Sequence, residues 1–142
     1  MAPDPERIRE VRSWLEKAND DIRAAGVDLA ADPPLTGDAA FHAQQAIEKS
    51  LKGFLSWHDV PFGKTHNLNV LSEACAKVDQ SLELLMREAG PLTEYSWLFR
   101  YPGAVDSPEP KEVLAAAAIS KRVYEAILNR LPPEVKPKTG SK

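Results

Sequence analysis

Phe41-His42-Ala43-Gln44-Gln45-Ala46-Ile47-Glu48-Lys49-Ser50-Leu51-Lys52 decides the fold. Wound as a helix, it places Ala40, Gln44, Ile47, Leu51, Phe54 and Leu55 on one side. His42, Gln45, Lys49, Lys52 and Ser56 gather on the other. The first side is the buried stripe of a bundle helix. The second offers an imidazole, an amide and two ammonium groups with no carboxylate among them. Such a stripe suits phosphate, a nucleotide or an acidic partner, or is simply a solvated face.

Outward from this helix the chain reads as helices joined by short turns. Asp4 caps a first helix and Pro5 occupies its first turn. Ile8, Val11, Leu15, Ala18, Ile22, Ala25 and Leu29 form its apolar stripe, with Trp14 beside it. Asp32-Pro33-Pro34-Leu35-Thr36-Gly37 turns the chain. Asp38 is the expected cap of the second helix, which should run to about His58. Thr65 or Asn67 caps a third helix bearing Leu68, Leu71, Cys75 and Val78. A fourth begins at Ser81, is interrupted at Gly90-Pro91 and resumes to Leu98 or Phe99. The last is expected over Pro110 to Leu131, burying Val113, Ala117, Ser120, Tyr124, Ile127 and Leu131. The fold class is therefore all-α: an antiparallel up-and-down bundle of four long helices plus a short broken one. Residues 1–131 form the domain, and the proline- and lysine-rich stretch 132–142 reads as a disordered tail.

The chain has 142 residues, enough for one domain with a real core, and a formal net charge of −3. That balance excludes a generic nucleic-acid binder. The charge is uneven, with a net +4 over 111–142 against −4 over both 1–40 and 65–110, so any anion site is local. A single Cys75 excludes an internal disulfide and reads as a small buried residue. No run of apolar residues suffices to span a bilayer, and the start of the chain lacks a signal-peptide core. A cytoplasmic location is the expectation.

The chemistry-bearing motifs are few. His42, His58 and His66 are the only histidines, none paired with another at i, i+3 or i, i+4. No HExxH or Glu-x-x-His motif occurs, and the apolar stripes carry no inward carboxylates, so no metal and no cofactor is expected. Gly63-Lys64-Thr65 lacks the upstream glycine and strand of a phosphate loop. Lys64 and His66 stand before a helix N-terminus, a position that favours anions, though His66 there reads more readily as a packing or capping residue. Arg100 either clamps a phosphate or locks a loop through a carboxylate. Tyr101 either stacks on a base or fills a bundle end.

Taken in order, Trp14-Leu15-Glu16-Lys17-Ala18, FHAQQAIEK from Phe41, Lys64-Thr65-His66-Asn67-Leu68, Thr93-Glu94-Tyr95 and Arg100-Tyr101-Pro102-Gly103 resemble the HEPN domain family, from about Val11 to Leu131. These are small all-helical domains of prokaryotes with relatives in higher eukaryotes. The resemblance implies one of two activities. Many members are metal-independent ribonucleases, in which an Arg and a His a few residues further on meet across a homodimer. They support attack by the RNA 2′-hydroxyl on its own phosphate. Arg100 supplies the Arg, but residues 101–107 read Tyr-Pro-Gly-Ala-Val-Asp-Ser, without the histidine. The branch with FHAQQA…EK and RYP often accompanies a minimal nucleotidyltransferase, in systems some of which look like toxin–antitoxin pairs. The resemblance therefore implies a homodimer that binds nucleotide or RNA as the non-catalytic partner of a nucleotidyltransferase. His42, Gln45, Lys49, Lys52, Lys64, His66, Arg100 and Tyr101 are its candidate binding residues. The alternatives are a ribonuclease toxin using Arg100 with an atypical histidine such as His66 or His42, and a ligand-free dimeric interaction module presenting Trp57, Trp97 or Tyr95.

Overall fold

The computed structural model describes residues 4–103 and 106–138. Five α-helices follow one another: α1 (Pro5–Ala30), α2 (Thr36–Trp57), α3 (Leu68–Val78), α4 (Glu83–Ala89) and α5 (Pro110–Leu128). Short 3-10 turns lie at Gln80–Leu82, Gly90–Ser96 and Pro133–Val135, and there is no strand among the described residues. The protein is all-α, as expected. Three helices are long, at 26, 22 and 19 residues, whereas α3 has 11 and α4 only 7. No helix among the described residues is long and apolar enough to cross a membrane.

α1 and α2 form the most extensive interface and run antiparallel, and α5 packs on α2 from another side. The close pairing has a compositional cause. Ala18 and Ala25 of α1 and Ala39, Ala40, Ala43 and Ala46 of α2 are all fully or almost fully buried. At Gly53 a Cβ would lie 3.3 Å from both Leu15 Cδ2 and Trp14 Cβ. At this Gly53 end of the pair the larger core forms around Val11, Leu15, Ile47, Leu51, Phe54 and Leu55. Asp4 accepts from the Glu6 amide and caps α1, with Pro5 in its first turn, and Asn67 caps α3 through the amides of Asn69 and Val70.

Five expectations need correction. α2 starts at Thr36 with Leu35 as its cap residue, so Asp38 lies inside the first turn with its side chain released from capping. The segment after Gly90-Pro91 tightens into a 3-10 turn ending at Ser96 rather than resuming an α-helix. α5 ends at Leu128, and its buried stripe keeps Val113, Ser120 and Ile127 but adds Ala116 and Val123, with Ala117 and Tyr124 half-buried at its edge. On α1 the buried face includes Asp21 and Asp28, so its stripe does carry inward carboxylates. Finally, the packed body passes the expected boundary at Leu131. Val135 is fully buried in the main core, and the Arg12 guanidinium donates to the Glu134 carbonyl. Residues 139–142 of the expected tail, and Ala104 and Val105 of the loop after Arg100, lie outside the described residues.

Candidate functional site

The polar side of α2 resolves into two charge clusters and a rim. The first cluster joins α1 to α2. Asp21 is 7% exposed. Its Oδ1 lies 2.8 Å from His42 Nδ1, and its Oδ2 accepts from Lys49 Nζ at 2.7 Å. The other ring nitrogen of His42, Nε2, stands 3.5 Å from Asp38 Oδ2. Asp28 reaches the same place from the last turns of α1, 8% exposed. Burial first, then the neighbouring Asp38 carboxyl, which favours a proton shared between them, push the Asp28 carboxyl up to about 6 against a smaller pull from His42.

The second cluster is centred on Glu48, 3% exposed. It accepts from Gln44 Nε2 at 3.2 Å, Gln45 Nε2 at 3.4 Å and Lys52 Nζ at 3.1 Å. The His66 ring nitrogen Nδ1 lies 3.1 Å from both its oxygens. The Lys52 ammonium is buried and lies 5.5 Å from the Trp14 ring centroid and 5.6 Å from that of Phe62. Lys52 is thus not on a solvated stripe, and Lys49 is committed to Asp21. The carboxylate-free surface read from α2 alone is corrected by Asp21 from the facing helix and by Glu48 turning inward.

The rim is at the N-terminal end of α2. The Arg100 guanidinium stacks 3.8 Å above the Phe41 ring centroid and reaches Asp38 Oδ1 at 3.9 Å, with 40% of its side chain exposed. Gly37, Asp38, Phe99 and Arg100 line a depression there of about 290 Å³. Tyr101 is 70% exposed, so it does not fill the bundle end. Arg100 and His42 therefore share one carboxylate within a single chain. His66 lies elsewhere, bound to Glu48, with its side chain 70% exposed. Lys64 is exposed on the loop before α3. Trp97 is exposed, Trp57 half-buried and Tyr95 buried, its hydroxyl donating to the Glu112 carboxylate. Cys75 is buried in the core, and burial raises its thiol to about 12, which leaves it without nucleophilic character.

The residues missed by sequence reasoning are the carboxylates Asp21, Asp28, Asp38 and Glu48. A signal for three of them existed. Asp21 and Asp28 are seven apart on one face of α1, and Asp38 precedes His42 by four on α2.

The helical bundle with FHAQQAIEK on α2, KTHNL at the start of α3 and Arg100 stacked over α2 has a counterpart among known families. A family model of the HEPN domain matches residues 11–131. The chain belongs to the HEPN domain family. No curated protein and no solved structure matches it. In this HEPN domain the matched span covers both charge clusters and the Arg100 rim, and stops short of the buried Val135.

Proposed function

We propose that this HEPN domain binds a phosphate-bearing ligand, nucleotide or RNA, at the Arg100 rim of α2. In this reading it acts as the non-catalytic, homodimeric partner of a nucleotidyltransferase in a two-component, toxin–antitoxin-like system. One observation carries the binding reading. Arg100 is a half-exposed guanidinium placed over the Phe41 ring, with one loose carboxylate contact at 3.9 Å. A planar fork held in place in this way is ready to exchange Asp38 for a phosphate. The exposed Tyr101 beside it supplies a ring for a base. Lys49 supports the site only indirectly, through Asp21 and His42, whereas Gln45, Lys52 and His66 belong to the Glu48 cluster and Lys64 to the loop before α3.

The non-catalytic half rests on the absence of histidine in 101–107 and on the carboxylates that face both nitrogens of His42. A second reading has its own support. His42 and Arg100 share Asp38, so a ribonuclease with a relocated imidazole would find both groups in one chain. The experiment is titration of a labelled purine nucleotide and of a short single-stranded RNA into wild type and Arg100→Ala, with RNA integrity followed in EDTA. Binding weakened about tenfold in the variant without cleavage supports the proposal. No binding of either ligand at millimolar protein refutes it. Cleavage that requires Arg100 and His42 replaces it with the ribonuclease reading.

A further inference from the structure

Asp28, Asp38 and His42 each bring one donor atom to a common point, with no pair of these atoms more than 4.8 Å apart. We infer that these three residues form a binding site for a single divalent transition cation of the Zn²⁺ type, bridging the end of α1 to the start of α2. The chemistry of the site does not depend on nucleotide binding.

The argument begins with the imidazole. Asp21 lies against His42 Nδ1 at 2.8 Å and, as a carboxylate, takes its N–H. In the neutral ring this leaves the Nε2 lone pair on the side of Asp38, 3.5 Å away. A lone pair facing a carboxylate is repulsive unless a positive charge stands between them. A metal-binding histidine is commonly oriented in this way, by a carboxylate on its far nitrogen. Lys49 neutralises Asp21 at 2.7 Å, which leaves Asp28 and Asp38 to balance a 2+ ion.

Asp28 supplies the second, independent indication. It is more than nine-tenths buried, yet as a carboxylate its Oδ2 has no hydrogen-bond partner among the described residues. A buried carboxylate oxygen without a donor is costly, and a cation bound to this carboxylate offsets that cost. The spacing agrees. A cation holding N and O ligands at about 2.1 Å in tetrahedral geometry places neighbouring ligand atoms about 3.4 Å apart. The His42 Nε2–Asp38 Oδ2 separation is 3.5 Å. Asp38 is about half exposed, so its side chain is free to close the longer edges, while its Oδ1 faces Arg100. The donor set is one imidazole and two carboxylates without sulfur, which selects borderline cations over Ca²⁺ and Mg²⁺.

The test uses tag-free, chelator-stripped full chain. Zn²⁺ is titrated by calorimetry, and Co²⁺ is titrated in parallel with its visible absorption as a reporter of coordination. The expected result is about one cation per chain, a raised Tm with Zn²⁺, and affinity reduced about tenfold or more in Asp28→Asn and in His42→Gln. His58→Gln, on the exposed end of α2 away from the site, should bind as wild type does. Asp38→Asn, at an exposed position, gives the same reading if the buried substitution impairs folding. Folded wild type that takes up no Zn²⁺ below millimolar concentration overturns the inference. Binding undiminished in Asp28→Asn, Asp38→Asn and His42→Gln overturns it equally.

Discussion

Lys52→Met should destabilise the domain by about 3 kcal/mol, the lower end of the cost of stranding one member of a buried ion pair. The side chains of Glu48 and Lys52 are 3% and 5% exposed, and their charged atoms are 3.1 Å apart. Methionine keeps most of the aliphatic stem that lies beneath Trp14 and Phe62, so little packing is lost. What changes is Glu48, which keeps its carboxylate in a nearly dry position without the ammonium. Gln44, Gln45 and His66 remain as partners and hold the cost to the lower end. Glu48→Gln combined with Lys52→Met removes both charges, and the double variant should recover most of the loss, with a coupling of about 2 kcal/mol. Urea unfolding followed by tryptophan fluorescence and circular dichroism reads the values, and Tm should fall by about 10 °C in the single variant. A single-variant cost below about 1 kcal/mol would show that the pair behaves as a surface salt bridge and would refute the reasoning.

Other outcomes follow from smaller features. Asn67→Ala, which removes the acceptor for the amides of Asn69 and Val70, should cost about 1 kcal/mol in the same unfolding assay. Ile47→Ala, at a fully buried position in the main core, should cost about 2–5 kcal/mol, and a loss under 1 kcal/mol would mean that the α1–α2 seam collapses to fill the cavity. Cys75 should resist thiol reagents in native protein up to strongly alkaline pH and react at once in urea, because burial raises its thiol to about 12. The hydroxyl and amide of Ser81, with Arg130 adding to them, hold the Asp79 carboxyl below its ordinary 3.8. Its contribution is present above that value and is lost as pH falls through the lower folded value. The stability gap between wild type and Asp79→Asn should therefore be open at pH 7 and close in strong acid, and a gap that widens in acid would contradict the assignment.

The bundle was legible because its signals are local. Asp4-Pro5, Asn67 and Pro110 mark helix starts through their own backbone chemistry, and the α2 stripe from Gln44 to Leu55 repeats with helical period. The edge of the α5 stripe was misread where its sequence is Ala115-Ala116-Ala117-Ala118, a run with no apolar contrast to fix it. Val135 was missed as a single apolar residue among prolines and lysines. The site was less legible, for a physical reason. Whether a lysine is free depends on the carboxylate facing it. Asp21 meets Lys49 and His42 from 28 and 21 residues away. Glu48 and Lys52 stand four apart, but their pairing in a buried place depends on Trp14 and Phe62 beside the ammonium. Arg100 was read as a phosphate clamp or a loop lock, and the Phe41 ring and Asp38 carboxylate that it meets lie on a helix distant in sequence.

Val135 sets the order in which the chain can mature during synthesis. The main core holds Leu15 and Ile47 early in the sequence but also Val123, Ile127, Leu131 and Val135. As translation proceeds from the N-terminus, α1 and α2 can pair while still tethered, since their seam of alanines is complete by Gly53. The apolar floor of that hairpin stays uncovered until the last of these side chains has cleared the ribosome. A chain truncated just after Leu131 would carry all five α-helices yet expose the patch on α1 that Val135 seals, and it would offer that patch to chaperones.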